Sequence, residues 1–282
     1  MMARVLVVPW SMAATKSGIA LSCRSVTQSS MMDHMGVRTA DIAEMPRGGF
    51  DASCLDRLLQ TDREEYLDRD DVRAGVKRQV IDALDWTGRV FGHHDRQART
   101  ALDVLADVAD PRILELGAGH GAVSRRLLDE HPTATVTVTD VNPESVARMA
   151  DSFAGEPRAT VRRMDATAID APDGAFDLAL FALSFHHLPP AAAARVFREG
   201  TRVATLLLII DLPRPPAPLH LLRLASMLPL ASWVPFVHDG LISSLRAYSP
   251  SALRALAAHA DPAIHLELHG GPCSDQIVLA RR

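Results

Sequence analysis

Arg112-Ile113-Leu114-Glu115-Leu116-Gly117-Ala118-Gly119-His120-Gly121 is the stretch on which the fold turns. RILEL is a short apolar run of the kind that fills a strand buried on both faces, and glycines at alternate positions follow it directly. Glycines let the chain turn tightly and let backbone amides approach a ligand without intervening side chains. Residues 123–130 then supply a helix, so strand, glycine turn and helix stand in the order that suits a small ligand.

Further apolar runs follow at intervals: ATVTVTD at 134–140, ATVRRMD at 159–165, FDLALFAL at 176–183, TLLLIID at 205–211, IHLEL at 264–268 and QIVLA at 276–280. With RILEL they predict seven strands. The first five are joined by segments long enough for right-handed helical crossovers, which predicts an α/β fold: a Rossmann-like, mostly parallel sheet with helices on both faces. Only residues 269–275 separate the last two, short enough for a hairpin, so the final strand is expected to be antiparallel.

Toward the amino terminus, residues 50–109 read as a helical cap. Leu55, Leu58 and Leu59 share one face; Val72, Val76, Val80, Ile81 and Leu84 keep the spacing through Trp86 and Val90, and a helix over 95–107 turns Ala98, Leu102 and Leu105 inward. The main domain is expected over 110–282, with an apolar insertion at about 213–248, after which Ser249-Pro250 signals a helix start. The first 32 residues lack Asp and Glu, an acid-poor, Ser-rich start compatible with a transit peptide. Residues 1–49 are expected to form a disordered extension.

The chain has 282 residues, 48% hydrophobic and 23% charged, an ordinary globular composition that excludes a wholly disordered chain or a mini-protein scaffold. A net charge of -4 argues against nucleic acid as a partner. All but Lys16 and Lys77 of the 30 basic residues are arginine, which with the many alanines suggests a bacterial, GC-rich source. Cys23, Cys54 and Cys273 are odd in number and widely spaced, which fits a reducing cytoplasm and neither a disulfide framework nor a cysteine zinc site. The apolar stretch 219–237 carries His220, Arg223 and internal prolines, so no membrane span is expected.

Residues just beyond strand ends are the place to look for a ligand site. Gly117, Gly119 and Ala122 also satisfy the relaxed dinucleotide pattern G-x-G-x-x-A, which keeps an NAD(P)-dependent oxidoreductase as an alternative. Asp140 ends the second strand, where a carboxylate can accept both hydroxyls of a ribose. A carboxylate at Glu115 opposes a pyrophosphate but suits an ammonium group, and this favours S-adenosylmethionine over NAD. Asp165 and Ala166, after the third strand, suit an adenine amino group.

Together these motifs resemble a class I S-adenosylmethionine-dependent methyltransferase of the small-molecule type. ILELGAGHG is similar to the family's first motif, VTVTDVNPE to its second-strand acidic motif, MDATAID to its adenine motif and FDLALFALSFHHL to its fourth-strand motif, across residues 111–282. The resemblance implies that Glu115 reaches the methionine amino group and that Gly117, Ala118, Gly119 and Gly121 pass beside the methionine portion. It implies that Asp140, with Val141, holds the ribose side, that Asp165 and Ala166 read adenine, and that Ala182 lies on the cofactor. A non-catalytic binding module on the same fold remains the other alternative.

His186 and His187 follow the fourth strand, near the expected transferable methyl, and are candidate general bases for a phenol or hydroxyl. The insertion could close over an apolar or aromatic small-molecule acceptor, with Trp233, Phe236, His238 and Tyr248 as contacts and Asp239 and Arg246 as further polar groups, or it could serve as a homodimer contact. His93 and His94 lack a metal-like companion spacing, so no metal site is expected.

Overall fold

The computed structural model describes residues 42–231, 233–271 and 274–282. The expected extension over 1–41, Cys23 and Cys273 lie outside the described residues. After residues 42–53, the described residues form α1 (Cys54–Leu58), α2 (Ala74–Val90) and α3 (His93–Asp103). Then follow β1 (Arg112–Leu116), α4 (Ala122–Glu130), β2 (Thr135–Asp140), α5 (Pro143–Ser152), β3 (Ala159–Arg163) and β4 (Phe176–Ala182). The chain continues through a single 3-10 turn (Phe185–His187), α6 (Pro190–Val203), β5 (Ala204–Asp211), α7 (Ala217–Ala231), α8 (Pro235–Arg246), α9 (Pro250–Ala260), β6 (His265–His269) and β7 (Gln276–Arg281).

The sheet order is β3-β2-β1-β4-β5-β7-β6. All neighbours from β3 to β5 are parallel, and β7 runs antiparallel to both β5 and β6. The chain order reverses between β1 and β4, which opens a crevice beyond their carboxyl ends. Successive side chains of a strand point to opposite faces, and the two cores follow from that alternation. Leu114, Leu116, Ala179, Phe181, Leu207 and Ile209 pack with α6 and α9 on one face. Ile113, Leu178, Leu180, Leu208 and Ile210 pack with α3, α4 and α5 on the other. Ser249 caps α9 as expected, its Oγ accepting from the Ala252 amide at 3.1 Å.

Three expectations differ from the structure. Residues 42–49 belong to the core and not to an extension: Ile42, Met45 and Arg47 are buried. No helix joins β3 to β4; residues 164–175 are irregular, and Arg202 of α6 holds them by donating to the carbonyls of Ala171 and Ile169 at 2.9 Å each. The helices of residues 50–109 are part of the same compact unit as the sheet. Their pattern also breaks, because residues 59–73 form no helix. Leu58, Trp86, Val90 and Phe91 are exposed, while Val80 is buried. The non-helical segment instead bends to bring Glu65, Tyr66 and Asp68 against α8 and the β4 exit.

Candidate active site

The loop after β1 is shaped by its glycines. Gly117, Gly119 and Gly121 all have φ between 60° and 76°, the left-handed region that side chains disfavour. A Cβ on Gly117 would lie 2.7 Å from the Phe181 ring, whereas one on Gly119 would meet nothing within 4 Å. The loop therefore packs on the sheet at one end and faces open space at its centre. Its Ala118 amide donates to the Thr139 carbonyl at 2.9 Å, which registers it against β2.

Asp140 is largely buried at the end of β2, and its two oxygens accept from the amides of Gly119 and Asn142, each at 2.8 Å. The helix cap here is Asn142, which accepts from Glu144 at 2.8 Å, so Asp140 is not used as a cap. Val141 follows, 58% exposed, beside the crevice. Glu115 is buried and accepts from the Ser124 hydroxyl. Burial pushes its carboxyl up to about 7; the Ser124 hydrogen bond opposes the rise and the Asp140 charge adds to it. Such a group welcomes a cationic partner. Asp165 is exposed, with Oδ1 accepting from the Thr167 amide at 2.8 Å, and Ala166 and Ala182 are half-buried. Leu183, next after β4, has φ of 53°, strain on the order of 1–3 kcal/mol that often marks a functional turn. The open cradle at Gly119, the exposed Val141 and the buried Glu115 all fit an amino-acid nucleoside across these strand ends.

His186 and His187 come together with partners that the sequence does not advertise. His186 is buried, its Nδ1 2.7 Å from Asp211 Oδ1, while its backbone amide donates to Asp211 Oδ2 at 2.7 Å. Its Nε2 faces Glu65 Oε1 at 3.4 Å, an ion-pair approach that leaves this nitrogen without a hydrogen bond among the described residues. Burial works to lower the His186 pKa, but the Asp211 charge and hydrogen bond, with Glu65, outweigh it and hold the ring up at about 9. In this state the ring is an imidazolium, unlike the neutral base expected from its type. His187 is half-buried, with Nδ1 2.9 Å from Asp68 Oδ2. Burial would raise the Asp68 carboxyl, yet its His187 hydrogen bond and the nearby cations leave it below the usual range. Glu65 is likewise held low against its burial by His186, His187 and Ser243.

The expected acceptor contacts are spread apart. Trp233 is 76% exposed in the turn between α7 and α8, and Phe236 is half-buried. His238 stacks on Tyr66 with ring centroids 3.9 Å apart and faces Asp239 at 3.0 Å. Tyr248 is a core residue: its hydroxyl donates to the Leu188 carbonyl at 2.8 Å and Arg47 lies over its ring. Arg246 donates to the His187 carbonyl and pairs with Asp68 at 3.6 Å. A cavity of about 340 Å³ beside His238 is lined by Arg63, Glu64, Arg69, Asp71, His238 and Ile242, most of them charged.

A second meeting of ligating groups sits at the glycine loop, where His120 Nε2 lies 2.9 Å from Asp85 Oδ1 and the His94 ring packs edge-on against His120. His94 thus has companions after all, supplied by α2 and the loop and not by sequence spacing. No described helix is long and apolar enough to cross a membrane.

Residues 113–205 match a family model described as a methyltransferase domain. The chain is 31% identical over 198 residues to a demethylmenaquinone methyltransferase from Thermus thermophilus, covering 63% of this chain and 86% of that protein. A shorter likeness, 37% over 79 residues, covers 27% of this chain and 26% of a ribosomal RNA small subunit methyltransferase A from Parasynechococcus marenigrum. Among solved structures, the plantazolicin methyltransferase BpumL in complex with SAH shares the fold with a TM-score of 0.54 and 13% identity, over 72% of this chain and 89% of that one. The strand order, the glycine loop tied to Asp140 and a relative matched over most of its length agree, and the chain belongs to the class I S-adenosylmethionine-dependent methyltransferases.

Proposed function

We propose that the acceptor is an apolar or aromatic small molecule whose polar end lies at His187, between the β4 exit and the 59–73 segment. The observation that carries this reading is the surface of α7 and of the turn into α8. Leu221, Leu222, Leu228, Leu230 and Trp233 are exposed there, and Trp86 and Phe91 are exposed at the end of α2, a helix that packs on α8. Large apolar side chains in such number are kept in water only where they meet apolar material. The relative from Thermus thermophilus acts, by its name, on demethylmenaquinone, a quinone-type molecule, which supports the same class here. The ribosomal RNA likeness is confined to about a quarter of each chain, and a net charge of -4 offers a polyanion no bulk attraction.

S-adenosylmethionine supplies a methyl group already activated on a sulfonium. The protein's part is alignment and exclusion of water. In this reading the 117–121 loop, Asp140, Val141, Asp165, Ala166 and Ala182 hold the nucleoside, and Glu115 receives the ammonium. His187, oriented by Asp68, receives the acceptor's polar end.

A transfer assay with purified protein against quinols, phenols, hydrophobic amines and a ribosomal RNA fragment tests the proposal. Turnover of an apolar hydroxylated acceptor is expected, with the KM for it raised several-fold in Trp233→Ala and Leu222→Ala. Both side chains are exposed, so stability should stay within about 0.5 kcal/mol and cofactor affinity should not change. Transfer to the RNA alone would reject the reading.

A further inference from the structure

Three groups at the β4 exit present atoms that bind cations: His186 Nε2, His187 Nε2 and the Glu65 carboxylate, all within 4.8 Å of one another. His186 Nε2 is 3.4 Å from Glu65 Oε1, and His187 Nε2 is 3.9 Å from Glu65 Oε2. Ligands bound tetrahedrally at about 2.0–2.1 Å stand about 3.3 Å from each other. The three ligand atoms, all within 4.8 Å of one another, thus have at most about 1.5 Å to close around an ion.

The outer partners point the same way. Asp211 takes His186 Nδ1 at 2.7 Å, Asp68 takes His187 Nδ1 at 2.9 Å, and the Ser243 hydroxyl donates to Glu65 Oε1 at 2.6 Å. A carboxylate behind each imidazole holds the proton on Nδ1 and aims Nε2 inward, and an ion displaces the Nε2 proton that His186 carries as an imidazolium, as metal binding by histidine requires. His186 Nε2 is also a buried nitrogen without a hydrogen-bond partner among the described residues, a cost that a bound ion removes.

We propose that Glu65, His186 and His187 bind a divalent transition-metal ion such as zinc, with a fourth position open toward the acceptor. Two imidazoles and one carboxylate suit zinc or iron(II); magnesium and calcium favour oxygen ligands throughout. Three protein ligands with an open position characterise catalytic and not structural sites. The ion would take the acceptor's hydroxyl oxygen and lower its pKa, so that the proton leaves to solvent near neutral pH. The oxygen then forms the new O–C bond as the methyl's bond to sulfur breaks, with that electron pair remaining on sulfur. This role rests on the hydroxylated acceptor proposed above; binding of the ion does not. The cluster of Asp85, His94 and His120 is a weaker candidate, because its imidazoles have no second carboxylate behind them among the described residues.

The test uses the full chain, stripped with a chelator and titrated with zinc alone in competition with a chromophoric chelator, and with cobalt(II) followed by its visible spectrum. One ion per chain and a tetrahedral cobalt spectrum are expected. His187→Ala and Glu65→Gln should abolish stoichiometric binding, and Asp68→Asn should weaken it about 10- to 100-fold. Thermal melts of the metal-free variants report folding, and should Glu65→Gln not fold, the other two decide. Absence of zinc binding, binding unchanged in His187→Ala, or loss only in His120→Ala would each overturn the proposal. Methylation of a quinol by zinc-free protein would overturn the ion's role and leave the acceptor reading standing. Zinc bound through these three residues, with no apolar acceptor methylated, would support the site and reject the acceptor reading alone.

Discussion

Oδ2 of Asp140 accepts a hydrogen bond from the Gly119 amide at 2.8 Å, which ties the carboxylate at the end of β2 to the middle of the glycine loop. The other oxygen is held by the Asn142 amide, so the carboxylate and the loop are oriented together before any ligand binds. Asp140→Ala removes an anchor of the loop and, on the proposed reading, the partner of the ribose hydroxyls. It should weaken S-adenosylmethionine binding by about 1–3 kcal/mol, roughly 5- to 150-fold. Titration calorimetry measures this, and an unchanged affinity would place the cofactor elsewhere.

Glu115 makes stability depend on pH in a definite direction. Its carboxyl stands at about 7 in the fold against an ordinary 4.5, chiefly through burial. A raised folded pKa means that the folded state holds the proton more tightly. The group's contribution is therefore complete below about pH 4.5 and is lost as pH rises through about 7, a change of about 3 kcal/mol. Denaturant unfolding of ligand-free protein at pH 5 and pH 8 should show this decline, and Glu115→Gln should show a smaller one, the remainder coming from His186, whose raised pKa acts in the same direction above pH 6.5. An ammonium bound at Glu115 would reverse the shift, so cofactor binding at pH 6 should release a proton. Calorimetry in buffers of different ionisation enthalpy detects that release.

Gly117 and Gly119 share a left-handed backbone but not their surroundings. Alanine at either position carries a conformational cost of about 1–2 kcal/mol. At Gly117 the new methyl also meets the buried Phe181 ring, so the melting temperature should fall further. At Gly119 it enters open space, and the main effect should be on cofactor affinity, lowered about 10-fold or more while the fold melts cooperatively. Normal binding by Gly119→Ala would mean that the cradle is not the cofactor's.

Arg47 fixes the β4 exit from a segment expected to lie outside the fold. Its Nη1 donates to the carbonyls of His186, Leu188 and Arg246 at 3.0, 2.8 and 3.1 Å. Arg47→Ala strands these buried acceptors and should cost about 3 kcal/mol, seen as a fall of roughly 6–12 °C in Tm. Arg47→Lys restores the charge but not the fork, and its Tm should recover only part of the loss.

All seven strands, the glycine loop, Glu115 and Asp140 are legible along the chain because each is written locally. Buried parallel strands read as short apolar runs, and a left-handed turn demands glycine. His186 and His187 stand out as a pair for the same reason. Their roles are not legible, because Glu65 and Asp68 belong to a stretch with no periodicity of its own. The apolar spacing of Leu55 and Leu58 suggests a helical face, yet both side chains are exposed and the segment after them bends away.

What the chain carries in its own order is the succession of strands and helices, the glycine turn after β1 and the carboxylates beside it, since these depend on contacts within a few residues. Folding in three dimensions was needed to bring Asp68 to His187 across 119 residues and Asp211 to His186 across 25. The same holds for Glu65, which reaches both rings from the bent segment before α2. Such meetings follow from sheet order and from where an irregular segment crosses the strand ends. Neither leaves a spacing in the chain, because the groups that answer one another's charge are neighbours only once β4 and β5 lie side by side.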